Sequence, residues 1–255
     1  MPIEVTTGPI ARIQIDRPSR KNALDSTHLQ DLRAAVVAIS RDQNARVVVL
    51  SGAGEHFSAG ADLGEVAALP DQVQAQRYFS EVAQVMAAIR QAPQPVVAVV
   101  RGWCLAGAVG LVGAADIAYA ADSARFGLPE VGLGLFPMVI SSVLIRQMAW
   151  RALSEMALTG RPQSAAAMQE AGLLTGVWPE SDLDGQVAEV AQVMAGHSME
   201  ALAAGKAALW RLASRHWQED VELLTAEVSA LAQGPEAKRR IAAFLHRSDV
   251  RPEAR

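Results

Sequence analysis

The sequence predicts a mixed α/β fold, and three observations carry that expectation. Residues 46–50 (Arg-Val-Val-Val-Leu) and 96–100 (Val-Val-Ala-Val-Val) are short apolar runs of the kind that strands buried on both faces show. Each leads into a turn of small residues: Glu55-His56-Phe57-Ser58-Ala59-Gly60-Ala61-Asp62-Leu63 after the first, and Gly102-Trp103-Cys104-Leu105-Ala106-Gly107-Ala108-Val109-Gly110 after the second. From Ser141 onward the text is almost wholly helical, punctuated by turn signals at Gly160-Arg161-Pro162 and Trp178-Pro179-Glu180.

The elements follow in order. Residues 10–15 alternate apolar and polar, as a half-buried strand does. Asp25 or Ser26 caps a helix in which Leu29, Leu32, Val36 and Ile39 share one face. After the strand at 46–50 and its turn, a second amphipathic helix spans 72–91, with Phe79, Val82, Met86 and Ile89 on one side. Pro93 and Pro95 end that helix and lead into the strand at 96–100. Residues 106–115 make a short helix packed too closely for large side chains, and 116–120 form the next strand, opened by Asp116. The region 198–248 reads as three helices with apolar positions such as Leu202, Leu209 and Leu212.

At 255 residues and 51% hydrophobic, the chain buries a sizeable core. A net charge of -4 with both signs interspersed gives no polybasic patch, which argues against a nucleic-acid partner. The single cysteine, Cys104, forms no intrachain disulfide and fits a reducing compartment. The first residues lack a basic stretch followed by an apolar one, and the apolar runs are interrupted well before a bilayer's thickness. The expectation is a cytoplasmic protein without a membrane partner.

Two strand-to-helix turns of small residues aim two backbone N–H groups at one point. Such a pair holds an oxygen that becomes negative during a reaction. The motifs themselves resemble a known family. His56-Phe57-Ser58-Ala59-Gly60-Ala61-Asp62-Leu63, the turn at 102–110, and Phe126-Gly127-Leu128-Pro129-Glu130-Val131-Gly132-Leu133-Gly134 are similar to the enoyl-CoA hydratase/isomerase (crotonase) family. The opening Asp16-Arg17-Pro18-Ser19-Arg20-Lys21-Asn22-Ala23-Leu24 resembles that family's first signature, and all four segments stand in the family's order and spacing.

The resemblance implies a crotonase (ClpP-like) spiral of ββα repeats over residues 1–197. It also implies a C-terminal helical region over 198–255 that builds a homotrimer or a dimer of trimers. The implied substrate is an acyl-CoA thioester, so coenzyme A belongs to the substrate and no separate cofactor or metal is expected. By position, the N–H groups of Ala61 and Gly107 would hold the thioester oxygen, and Glu130 would move protons at the α-carbon. Its apolar neighbours Phe126, Leu128, Val131 and Leu133 are expected to desolvate it and raise its pKa. Backbone near Ala59 and Gly60 would meet the adenine, with Ala23, Leu24, Asp62 and Leu63 at the coenzyme entrance. Trp103, Gly110, Pro129, Phe136, Met138 and Val139 would line the acyl pocket. Arg20, Lys21 and Arg247 would meet the phosphates. The lysine that many hydratases carry two residues past the aspartate is Gly64 here.

One departure bears on the reaction. Hydratases of the family carry a second glutamate where this chain has Gly110, and the pair holds and deprotonates the attacking water. A single carboxylate suffices for moving a proton between the α- and γ-carbons, as the family's 3-enoyl-CoA/2-enoyl-CoA isomerases do. Residues 134–141, however, resemble hydratase branches with a small residue at that position. Hydration of a 2-enoyl-CoA therefore ranks ahead of isomerisation, with a silent acyl-CoA binder as a third reading. The strand at 47–50 followed by Ser51-Gly52-Ala53-Gly54 invites a dinucleotide reading but lacks the third glycine of the fingerprint and the later acidic residue. His28 and His56 lack metal-ligand spacing, and Cys104 has no partner base, so it reads as a small buried hydrophobe.

Overall fold

The computed structural model describes residues 3–213. The chain divides into two compact units, Met1–Ala195 and Gly196–Arg255. In the first, strands β1 (Ile3–Thr6), β2 (Ile10–Ile15), β3 (Val47–Gly52), β4 (Val96–Val100), β6 (Ile117–Ala121) and β9 (Gly176–Trp178) form one sheet in the order β1-β2-β3-β4-β6-β9. All its pairings are parallel except β1 with β2. A smaller sheet holds β5 (Trp103–Leu105), β7 (Arg125–Gly127) and β8 (Gln163–Ser164) in the order β5-β7-β8.

The path is a spiral whose turns repeat a strand of the large sheet, a short extended segment, and then helix. β2 is followed by Leu24, which bridges to Ala61, and by helix α1 (Ser26–Ser40). β3 is followed by Ser58, which bridges to Cys104, and by α2 (Leu63–Ala68) and α3 (Gln72–Gln91). β4 leads to β5 and α4 (Gly107–Ala114); β6 leads to β7, a 3-10 turn at Pro129–Leu133, α5 (Met138–Gln147) and α6 (Trp150–Thr159). The bridges Leu24↔Ala61 and Ser58↔Cys104 thus continue the small sheet across successive turns of the spiral.

The central strands are apolar over residues 47–50 and 96–100 because both faces are covered. Every residue of β4 is buried, and helix α8 (Glu180–Ala195) lays Leu183, Val187 and Ala191 on Val47, Val49, Val97 and Val99. Helix α1 packs on β2 and α3, α3 on α4, and α4 on α5. Asp25 caps α1, accepting from the His28 N–H at 2.9 Å. Asp116 accepts from the Val96 N–H at 2.8 Å and ties the starts of β4 and β6 together. No helix among the described residues is long and apolar enough to cross a membrane.

Two expectations need correction, and a third lies partly outside the described residues. The core face of α3 carries Tyr78 rather than Phe79, with Val82, Val85, Met86 and Ile89. The tyrosine turns inward because its hydroxyl finds the Leu24 carbonyl at 2.6 Å. The region after Ser141 is not wholly helical: β8 and β9 flank α7 (Ala165–Glu170), and both are too short to show a period of two. Of the three helices expected over 198–248, α9 (Met199–Leu212) is described, capped by Ser198, and the rest lie outside the described residues.

The loop from β3 to α2 owes its shape to Asn22. This fully buried side chain donates to the carbonyls of Ala53, His56 and Phe57 at 2.9, 2.7 and 3.3 Å, and its Oδ1 accepts from Arg17 N–H at 2.9 Å. Asn22→Ala strands those carbonyls in the interior, and its φ of 56° already disfavours alanine. Urea denaturation should show a loss of about 2–4 kcal/mol; a change within about 0.5 kcal/mol would mean that other contacts hold the loop.

Candidate active site

The two small-residue turns meet. Ser58 N–H donates to the Trp103 carbonyl at 3.1 Å, and Leu105 N–H donates to the Ser58 carbonyl at 3.0 Å. Gly60, at φ 81°, is the point of closest approach. A Cβ there would lie 2.5 Å from the Leu105 oxygen and 2.7 Å from the Ala106 Cβ, so only glycine lets the turns touch. On the other side Leu24 N–H donates to the Gly60 carbonyl at 2.8 Å and Asp62 N–H to the Leu24 carbonyl at 2.9 Å. This parallel bridge engages the backbone on both sides of Ala61 and leaves the Ala61 N–H without an acceptor among the described residues.

Ala106 precedes α4 with φ 51° and ψ -130°, a conformation that a side chain strains. Its own N–H donates to the Gly127 carbonyl at 2.9 Å, which holds it there. The chain then enters α4 at Gly107, whose N–H also has no acceptor among the described residues. Both free N–H groups belong to residues that line one cavity of about 800 Å³.

Glu130 stands on the same cavity, in the 3-10 turn after Pro129. Its Oε2 is shielded from solvent and has no hydrogen-bond partner among the described residues. Burial pushes its carboxyl above the usual range, against a hydrogen bond from its own backbone N–H that acts the other way. Of the apolar neighbours expected around it, Phe126 and Leu128 are buried, whereas Val131 and Leu133 are 38% and 53% exposed.

The other ionisable residues on the cavity wall are Arg20, Asp62 and Tyr78. Asp62 is engaged elsewhere: it caps α2 through Gly64 and Glu65 N–H groups and accepts from Arg17 Nη1 at 2.8 Å. Burial opposes its charge, but the Arg17 hydrogen bond and the two backbone donors hold its pKa below the ordinary value. Arg17 also pairs with Asp25 at 3.2 Å and donates to the Ala23 carbonyl at 3.2 Å, so one guanidinium fixes both segments of the Leu24↔Ala61 bridge. Arg17 is a residue that sequence reading passed over; its lone signal was its place beside Pro18 in the opening signature. The Tyr78 hydroxyl is pushed well up by burial, and next by Glu65, and remains a neutral donor to Leu24.

Of the expected site residues, Ala23, Leu24, Ala59, Ala61, Asp62, Leu63, Gly107, Pro129, Glu130, Phe136, Met138 and Val139 line the cavity, as does Arg20. Gly60, Trp103 and Gly110 do not. Gly60 is spent on the contact between the turns, and Trp103 is a strand residue whose N–H meets His56 Nδ1 at 3.4 Å. Gly110 is covered by Ile140 and Met86. Lys21 is off the wall as well, and Arg247 lies outside the described residues. Burial raises the Cys104 thiol well above its ordinary pKa, which keeps it an inert core group.

A strand–strand–helix spiral whose backbone turns and one solvent-shielded carboxyl wall the same cavity defines the crotonase fold class. The sequence profile of the enoyl-CoA hydratase/isomerase family matches residues 6–251, and the chain belongs to that family. It is 35% identical over 199 residues to the 2,3-dehydroadipyl-CoA hydratase of Escherichia coli, covering 77% of this chain and 76% of that one. It is 30% identical over 219 residues to the peroxisomal Delta(3,5)-Delta(2,4)-dienoyl-CoA isomerase of Arabidopsis thaliana, covering 81% and 79%. The crystal structure of an enoyl-CoA hydratase from Mycobacterium smegmatis superposes with a TM-score of 0.94 at 29% identity, covering 99% of this chain and 98% of that one.

The environment of Glu130 sets a sign for stability. A carboxyl whose folded pKa lies above its ordinary 4.5 contributes stability below that value and loses it as pH rises through the folded pKa. Glu130→Gln removes the buried charge, so the variant should melt above wild type at pH 8, with the gap closing toward pH 4. A variant that melts lower than wild type across that range would show that Glu130 has a stabilising partner when ionised.

Proposed function

We propose that the protein shifts the double bond of an enoyl-CoA thioester, using Glu130 as its one proton carrier. The observation that supports this is the isolation of Glu130: the other carboxyl on the cavity wall, Asp62, is bound to Arg17 and two backbone donors. Glu130 takes a proton from the α-carbon of a 3-enoyl thioester. The electron pair moves onto the thioester oxygen, where the N–H groups of Ala61 and Gly107 receive it. The same carboxyl then returns the proton to the γ-carbon, so the double bond moves from C3–C4 to C2–C3 with no change in oxidation state. A pKa raised by burial suits a group that must both take and give a proton near neutrality.

The acyl part is read as apolar, because the wall beside Glu130 is built from Leu133, Leu135, Phe136, Met138 and Ile140. Ala23, Ala59 and Arg20 are assigned to the coenzyme end, and a homotrimer or dimer of trimers is carried as a proposal on the family likeness. Hydration of a 2-enoyl-CoA is the second reading, favoured by the likeness of residues 134–141 to hydratase branches and by identity to the Escherichia coli hydratase.

Absorbance of the conjugated thioester separates the two. A rise with a 3-enoyl-CoA supports the shift, and a fall with a 2-enoyl-CoA establishes hydration instead. Glu130→Gln should retain thioester binding and lose turnover by roughly 10²–10⁴-fold; unchanged turnover removes Glu130 from the mechanism. Gly60→Ala forces the turns apart and should lower kcat/KM by roughly 10²-fold, read on protein that remains folded by circular dichroism. Full activity in that variant would mean the two N–H groups do not act together.

A further inference from the structure

Gly110 is buried one turn beyond Gly107 on α4, and so on the same helix face. A side chain there would project toward the cavity wall, yet the space is taken. A Cβ on Gly110 would sit 2.7 Å from Ile140 Cβ and 3.0 Å from Met86 Sδ. Ile140 is 3% exposed, and it is a cavity-lining residue where Gly110 is not. Its position is held by a second contact of the same kind. One turn on, a Cβ at Gly113 would lie 2.8 Å from Leu144 Cδ2 and 3.3 Å from Val143 Cγ1. The small residues of α4 therefore form a groove, and the Ile140–Leu144 row of α5 is seated in it.

We infer that Ile140 holds the site to single-carboxyl chemistry by occupying the space that a side chain at position 110 would need. Its side chain, clamped over Gly110, closes the stretch of wall from which position 110 could present a second polar group. This inference rests on the proposed proton shift. Hydration needs a group that holds and deprotonates a water in addition to the donor at the α-carbon. With Ile140 in place the wall there is hydrocarbon, Glu130 stays alone, and the proton it removes has only the carbon skeleton to return to. The single-carboxyl chemistry is thus imposed by α5 packing as much as by the residue at position 110.

The test has two readouts. In a thermal double-mutant cycle, Gly110→Ala should lower Tm by about 5 °C, and the same change in an Ile140→Ala background should cost nothing, because the obstructing side chain is gone. In product analysis, wild type and Ile140→Ala given a 3-enoyl-CoA should both yield the shifted enoyl thioester, whereas Gly110→Glu in the Ile140→Ala background should raise the ratio of 3-hydroxyacyl to shifted product at least tenfold over Gly110→Glu alone. An active isomerase in which the Gly110→Glu product ratio ignores Ile140→Ala, or a Gly110→Ala cost that persists without Ile140, overturns the inference alone. Wild type that chiefly hydrates overturns it too. Silence of wild type with both thioesters overturns the reading of the site, and this inference with it.

Discussion

The contact on which the rest of the structure depends is the approach of backbone to backbone between residues 58–61 and 103–106. Strand hydrogen bonds bring the segments side by side, but they end at Leu105, and there the chains must part or touch. They touch because Gly60 has no Cβ and because Ala106 accepts a strained φ of 51°. Strain of that kind costs of order 1–3 kcal/mol per residue and persists where the surroundings overdetermine it. Here the surroundings are the Gly127 carbonyl on one side and the Leu24↔Ala61 bridge on the other. The outcome is two N–H groups without acceptors among the described residues, on residues that line one cavity.

Electrostatics divides the labour between the two carboxyls of the cavity. Asp62 and Glu130 face the same space but have opposite surroundings. Arg17 and two helix N–H groups stabilise the charge of Asp62, so it is a structural anion that pins α2 and the first turn. Glu130 is shielded from solvent and lacks those donors, so its neutral form is favoured. Pushing two titratable groups apart in this way separates the anchoring role of Asp62 from the proton-carrying one proposed for Glu130. It also means that the anchor stays charged over the pH range where Glu130 titrates.

The fold was legible where apolar runs were long enough to carry a period. Residues 47–50 and 96–100 read as buried strands because both faces are covered, and the stripe Leu29, Leu32, Val36 and Ile39 is buried as its spacing implies. Strands β8 and β9 left no trace because two or three residues cannot show alternation. The bridges at Leu24 and Ser58 were invisible for the same reason, although they stitch the spiral together. Within the site, motif spacing pointed to Ala61, Gly107 and Glu130, which share the cavity. It could not reveal that Gly60 serves the neighbouring turn, or that Arg17 joins Asp25 and Asp62 across the fold, since both facts concern what lies opposite in space.

Position 110 shows most sharply why a local motif underdetermines chemistry. A glycine in place of a carboxylate looks like a deletion, and a deletion could be reversed by restoring the residue. In the folded chain it is half of a pair: Ile140 fills the space, and Leu144 over Gly113 repeats the fit one turn later. Overpacking such a site is destabilising because a close-packed interior has no slack to absorb added atoms. Placing a second carboxylate there would therefore require clearing the Ile140 side chain as well as adding the charge. What separates one-carboxyl from two-carboxyl chemistry on this scaffold is then a helix–helix packing decision, made by α5 outside the four signatures and recorded at Gly110 only as an absence.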